Sequence, residues 1–296
     1  MRLCLEVWGT DYNKIKEACI LAEKLGYYGF YYGESLADLD LDCWTVLSSL
    51  SSITKQIKLG PVITYLFPQY RNISLLAKQA VTFQKISEGR LEFRTGAGAT
   101  LQYATQWWYP YGIEYPKGKE RVSILEEGLQ VLQMLWNNST VRFNGNFFKV
   151  NDATLQHPSK YIPITIAAKR KKMMSIAARF ADIWEASYLS PEKFHKLNLD
   201  FDNAFKEFNR TVSKSIELDV IIADSDSDLN YKEKIFAMER GPSVFNQILR
   251  NGLVGKPEDI AERVKEYVHA GVEQFFLAFQ DPFDSKALEL FMDVAK

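Results

Sequence analysis

The side chains best placed to do chemistry stand where apolar stretches end. Glu34 follows the aromatic run Gly29-Phe30-Tyr31-Tyr32-Gly33, and Gly96-Ala97-Gly98 follows Leu91-Glu92-Phe93-Arg94-Thr95. A carboxyl group beside a ligand can hold or move a proton. A glycine-rich bend lets backbone amides approach that ligand, because no Cβ stands in the way. A third group, Lys169-Arg170-Lys171-Lys172, follows the apolar stretch 162–168 and opens a helical pattern. Free amides at a helix start favour an anion such as phosphate, and adjacent cations add to that preference. Each group also has a purely structural reading: a paired strand-end charge, a tight turn, a solvated helix face. What they share is position.

Other chemistries lack their side chains. Cys4, Cys19 and Cys43 are odd in number and show no CxxC spacing, and His157, His195 and His269 lie far apart. Reduced thiols in a cytoplasm fit this better than disulfides or a zinc site, and no metal centre is expected. Hydrolysis by paired acids would need a second carboxyl on the rim beside Glu34, which the chain does not supply. A formal net charge of −1 argues against nucleic acid held by bulk electrostatics. No apolar run approaches the ~18 residues of a membrane helix, and the first residues lack a signal peptide's apolar core.

The elements that carry these residues alternate. Strand patterns cover 3–8, 28–32, 57–64, 91–95, 162–168, 182–186, 215–222 and 273–279. Helical spacing covers 15–25, 44–53, 73–86, 120–136, 173–180, 191–208 and 260–269. Residues 141–150 read as an inserted hairpin around Asn144-Gly145, and 224–254 as a helix with a long, variable loop. Eight strands alternating with helices over the whole chain, 1–296, predict a single (β/α)8 TIM barrel domain. A doubly wound sheet is disfavoured, because no Gly-x-Gly-x-x-Gly follows the first strand.

A barrel locates the site at the carboxyl ends of its strands. That rim holds Trp8-Gly9-Thr10, Gly33-Glu34-Ser35, Thr64-Tyr65, Gly96-Ala97-Gly98, Ala167-Ala168-Lys169-Arg170 and Ser187-Tyr188. Aromatic and small residues dominate it, which suits a flat aromatic ligand. Glu6, Glu92, Arg94 and Glu185 fall inside strands, where charges must be paired. Glu92 and Arg94 are two apart and share a face, so Arg94 is expected to pair with Glu92, Glu6 or both.

The order and spacing of several stretches resemble the luciferase-like monooxygenase family, barrel proteins that include bacterial luciferase, alkanesulfonate monooxygenase and the deazaflavin-dependent reductases. The resemblance runs through Gly29–Ser35, Thr54–Thr64 ("TKQIKLGPVIT"), Arg71–Gly98, Gly112–Trp136 with its Phe-x-Gly hairpin, Ile164–Trp184 ("AARFADIW") and Gly255–Gly271 ("GKPEDIAERVKEYVHAG"). It implies an oxidoreductase binding FMN or coenzyme F420 with the ring across the barrel mouth. Ring contacts are then expected from Trp8, Ser35, Val62, Ile63 and Thr64, with a non-prolyl cis peptide at Val62-Ile63. Phosphate contacts are expected from Gly96, Ala97, Gly98 and Ala99, and from Ala167, Ala168, Lys169 and Arg170. The resemblance also implies a homodimer.

Two departures stand out. Many relatives place a histidine after the second strand, where this chain has Glu34-Ser35-Leu36, so Glu34 is the catalytic candidate. At the corner after the fifth strand, Lys169 and Arg170 replace a usual glycine. The Leu59-Gly60-Pro61-x-Ile63-Thr64 stretch resembles the archaeal methylene-tetrahydromethanopterin reductase branch and points to F420, with hydride transfer to or from a small organic substrate. The alternatives are an FMN-dependent monooxygenase served by a partner flavin reductase, and a catalytically silent flavin-binding barrel.

Overall fold

A computed structural model of the chain describes every residue except 206, 207, 209, 295 and 296. In chain order the elements are β1 (Arg2–Val7), α1 (Tyr12–Leu25), β2 (Gly29–Gly33), α2 (Cys43–Ile53), β3 (Lys58–Val62), α3 (Ile73–Ile86) and β4 (Phe93–Gly96). Then come α4 (Leu101–Trp107), a 3-10 turn (Tyr109–Tyr111), α5 (Gly118–Asn137), the hairpin β5 (Val141–Asn144) and β6 (Lys149–Ala153), β7 (Ile164–Ala167), α6 (Lys171–Phe180), β8 (Ile183–Ser187) and α7 (Pro191–Phe205). The chain ends with β9 (Ser213–Ile222), α8 (Asp226–Arg240), α9 (Pro242–Asn251), β10 (Leu253–Gly255), α10 (Pro257–His269), β11 (Gln274–Phe279) and α11 (Ser285–Val294).

Parallel pairing runs β3-β2-β1-β11-β9-β8-β7-β4. Parallel bridges Leu59↔Leu91 and Thr64↔Thr95 bring β4 back against the β3 side. The eight strands therefore form a TIM barrel, as the alternation predicts. β10 pairs in parallel alongside the carboxyl end of β9, and the antiparallel β5-β6 hairpin forms a separate sheet.

Local chemistry sets the boundaries. Asp11 caps α1 by accepting from Asn13 N (3.0 Å) and Lys14 N (3.2 Å), and Gly26 ends it at φ 91°, a left-handed turn a Cβ would resist. Asp42 and Asn72 cap α2 and α3 in the same way. Outside the barrel, Trp184 of β8 stacks on Phe201 (4.2 Å) and Phe194 (5.5 Å) of α7, so aromatic burial glues helix to sheet.

Three expectations change. Residues 224–254 hold two helices and a short strand in place of one helix and a long loop: α8 buries only Phe236, so its apolar signal is faint. Residues 101–107 form α4 within the aromatic excursion. The helix expected over 191–208 is found as Pro191–Phe205, and 206 and 207 lie outside the described residues.

Candidate active site at the barrel mouth

The barrel interior is layered, because every second residue of each strand points inward. The lower layer centres on Glu92, which accepts from Tyr28 OH (2.6 Å), from Tyr31 OH and from Gln274 Nε2 (3.4 Å). The next layer centres on Arg94, fully buried, its guanidinium 4.0 Å from the Phe276 ring centroid. Arg94 donates to both oxygens of Glu185 (2.5 and 2.9 Å), to Glu217 Oε2 (3.0 Å) and to Glu6. It does not pair with Glu92. The two share a face, but residues two apart sit ~6–7 Å apart along a strand. Arg94 therefore belongs to a different layer and reaches across to β1, β8 and β9.

Three carboxylates thus surround one cation. Burial pushes Glu6 well above the ordinary carboxylate range and raises Glu185, with Arg94 opposing both shifts. Glu6 Oε2 is buried without a hydrogen-bond partner. Glu217 has 15% of its side chain exposed and accepts from Tyr188 OH, joining this layer to the one above. Sequence reasoning passed over Glu217, although Glu217 and Asp219, two apart in one strand, repeat the same-face signal that singled out Glu92 and Arg94.

The uppermost layer brings apolar residues together. A Cβ on Gly96 would lie 3.2 Å from Ile63 Cδ1 and 3.4 Å from Ala167 Cβ, so Ile63, Gly96 and Ala167 adjoin. The Val62-Ile63 peptide is cis, at the position the resemblance indicates. Thr64, next in the chain, is fixed from both sides: its N donates to Arg94 O (2.9 Å) and its O accepts from Thr95 Oγ1 (2.7 Å). On the neighbouring strand, where Gly33 pairs with Val62, a Cβ on Gly33 would lie 2.3 Å from Trp8 Cδ1, and 2.7 Å from both Trp8 Nε1 and Asp40 Oδ1. Gly33 is what lets the Trp8 indole and the Asp40 carboxylate meet at the rim. Ser35 Oγ holds Asp40 Oδ2 at 2.9 Å, so Trp8 and Ser35 converge on Asp40, which the sequence reading did not select.

Glu34 lies beside this layer, buried and engaged. It accepts from Thr64 Oγ1 (2.6 Å), Tyr70 OH (3.1 Å) and Arg71 Nη2 (2.6 Å). Burial raises its pKa, and Arg71, Thr64 and Tyr70 pull it back. Such a carboxylate pins the β2 and β3 ends to the start of α3.

At the anion corner, Gly98 takes φ 88°, and a Cβ there would stand 2.3 Å from Tyr115 OH. Tyr115 OH in turn donates to Ala99 O (3.0 Å). Ala168 is buried and accepts from Trp184 Nε1 (2.7 Å). Lys169 and Arg170 are exposed and, among the described residues, in no ion pair, whereas Lys172 pairs with Glu126. Arg170 is the N-cap of α6 and gives it no side-chain cap, which leaves the first-turn amides available to an anion. Of the aromatic excursion, Trp108 is buried against Tyr65 (5.1 Å), Phe67 (5.2 Å) and Tyr70 (4.6 Å), whereas Tyr109 and Tyr111 are exposed.

The sequence profile of luciferase-like monooxygenases matches residues 6–237. The chain belongs to the luciferase-like monooxygenase family. One member, the F420-dependent glucose-6-phosphate dehydrogenase of Microbacterium testaceum, is 25% identical over 91% of this chain and 88% of its own length. The pyrimidine monooxygenase RutA of Yersinia enterocolitica is 28% identical over 65% of this chain and 52% of its own. Among solved structures, an F420-dependent secondary alcohol dehydrogenase holding an F420-acetone adduct superposes with a TM-score of 0.87 at 17% identity. It covers 99% of this chain and 97% of its own, a likeness of fold. With both dehydrogenases and monooxygenases among its relatives, this family member is an oxidoreductase. No helix among the described residues is long and apolar enough to cross a membrane.

Gly33→Ala tests the rim. The added methyl overlaps Trp8, and overpacking of this kind costs about 1–3 kcal/mol. The melting temperature is expected to fall by a few degrees. Thermal unfolding of the variant measures it, and an unchanged midpoint would show that Trp8 gives way at no cost.

Proposed function

We propose that this protein transfers a hydride between coenzyme F420 and a small organic substrate at the barrel mouth. The observation that carries this is the meeting of Ile63, Gly96 and Ala167 at the strand ends, close in sequence to the start of α6, which no side chain caps. Those residues fit a tricyclic ring with a phosphate-bearing tail. Trp8, Ser35, Val62, Ile63 and Thr64 would hold the ring. The amides of Gly96–Ala99 and of the α6 start, with Lys169 and Arg170, would hold the phosphate. When bound, F420 supplies a two-electron hydride carrier. The chain's own part is to orient the reactants, exclude water and manage a proton.

Support for F420 over FMN comes from the extent of the match, since the F420-dependent relative aligns over nearly the whole of both chains. The monooxygenase relative sustains the second reading, FMN-dependent oxygenation with a partner flavin reductase, over a shorter stretch. Isothermal titration with oxidised F420 and, separately, with FMN decides between them. Micromolar binding of F420 with FMN silent is the expected result. FMN binding alone overturns the assignment in favour of the oxygenase, and silence of both leaves a barrel without its ligand.

A further inference from the structure

We infer a second ligand site at the amino end of the barrel, opposite the mouth, for a planar amino-heterocycle of the aminopurine class. It stands independently of the hydride-transfer reading. A hollow of about 370 Å³ opens there between the end of α5 and the connection from β6 to β7. Trp136, Pro158, Ile162 and Ile164 give it apolar walls, and Gln133, Asn137, His157 and Tyr161 line the rest. Apolar walls with a few polar groups, at a volume of this order, are what small-molecule sites have in common.

The hollow is held open. His157 Nδ1 lies 2.9 Å from Trp136 O. A carbonyl only accepts, so Nδ1 carries the proton and Nε2 is left as an acceptor in the neutral ring. Tyr161 is gripped at both ends: its O accepts from Gln84 Nε2 (2.6 Å), and its OH lies 3.0 Å from each oxygen of Asp182. Between them Lys160 Nζ donates to Glu88 O (2.7 Å). The connection is thus tied to α3, to α5 and to the residue before β8, and cannot fold down over Trp136 without breaking those bonds. Tyr161 is nonetheless 62% exposed. An aromatic residue fixed at both ends and left in solvent is a stacking platform whose ordering is complete before a ligand arrives.

The polar edge selects the class. Gln133 and Asn137 are four apart on α5 and share a face. Among the described residues the Gln133 carboxamide has no hydrogen-bond partner, and Asn137 uses only its Nδ2, on Gln133 O (2.8 Å). A carboxamide presents a donor and an acceptor side by side. Its match is an amino group next to a ring nitrogen, the edge that Asn and Gln read with two bonds on adenine. With a formal net charge of −1 the chain exerts no bulk attraction on a polynucleotide, so the ligand is a free base or nucleoside.

The test is an NMR titration of the full 15N-labelled chain with adenine and, separately, with purine, which lacks the amino group. The side-chain amide signals of Gln133 and Asn137 are identified by their loss in Gln133→Met and Asn137→Ala. Both are expected to shift saturably with adenine, with a Kd of about 1 mM or below. Purine should bind about tenfold more weakly, since a good two-bond contact discriminates by at least that much. Gln133→Met should bring adenine down to the level of purine, read from the Asn137 signal. Tyr161→Ala should weaken both ligands by about tenfold, the worth of one stacked ring. If neither amide signal moves with adenine, the site falls. If adenine and purine bind alike and Gln133→Met changes nothing, the hollow does not read an amino edge and the assigned class falls.

Discussion

Arg94→Met is expected to destabilise the protein by at least about 4 kcal/mol at pH 8, because breaking a buried ion pair by removing one partner costs about 3–5 kcal/mol. Here one guanidinium serves Glu6, Glu185 and Glu217 at once. Removing it strands three carboxylates inside the barrel. The loss should shrink in acid. In the native protein burial already raises Glu6 and Glu185, with Arg94 opposing. Without Arg94 that opposition vanishes, and the folded state holds protons over a pH range where the unfolded chain, titrating near 4.3, does not. Stability then falls as pH rises from about 4.5, by up to about 1.4 kcal/mol per pH unit for each such proton. Urea unfolding of both proteins at pH 5 and pH 8 measures it: the variant's deficit should be clearly smaller at pH 5. An equal deficit at both pH values would mean that packing against Phe276, and not charge, is what Arg94 supplies. Arg94→Lys should recover only part of the loss, since an ammonium cannot reproduce the bidentate contact with Glu185.

The barrel itself was legible because most of its eight strands are largely apolar and close on small or polar residues, and each early helix shows clear periodicity. Residues 224–254 were not, because α8 is charged nearly all round and gives the pattern no face to report. The site was legible to the same depth. Strand-end position picks out Trp8, Gly33, Glu34 and Gly96 without any coordinates. Alternation correctly turns Arg94 inward, but which layer it joins depends on how the strands are staggered in the closed barrel, and sequence does not carry that stagger. Asp40 was hidden for another reason. It sits in Asp38-Leu39-Asp40-Leu41-Asp42, three acids at equal spacing, and only the bridge to Gly9 and the approach to Trp8 single out the middle one.

Asp219→Asn should make the protein more stable, and only above acid pH. Asp219 is buried on the inward face of β9, on the same face as Glu217 and one step nearer the carboxyl end. Burial carries its carboxyl up to about 7; Glu217 adds to the shift and Arg240 opposes it. An acid whose pKa is raised on folding contributes nothing unfavourable while both states are protonated. Between the unfolded value of 3.8 and the folded value of about 7 the native state must hold a proton that the unfolded chain has released. Above pH 7 it carries a poorly solvated charge. The gap of roughly three units corresponds to a penalty of up to about 4 kcal/mol at pH 8, at 1.36 kcal/mol per unit. Asparagine has nearly the same shape and cannot ionise. The difference in unfolding free energy between variant and native protein should be near zero at pH 3.5, grow through pH 4–7 and level off beyond. A difference that does not change with pH would show that Asp219 is not a strained acid. If the curve has the expected form, folding alone gives no reason for a carboxyl there.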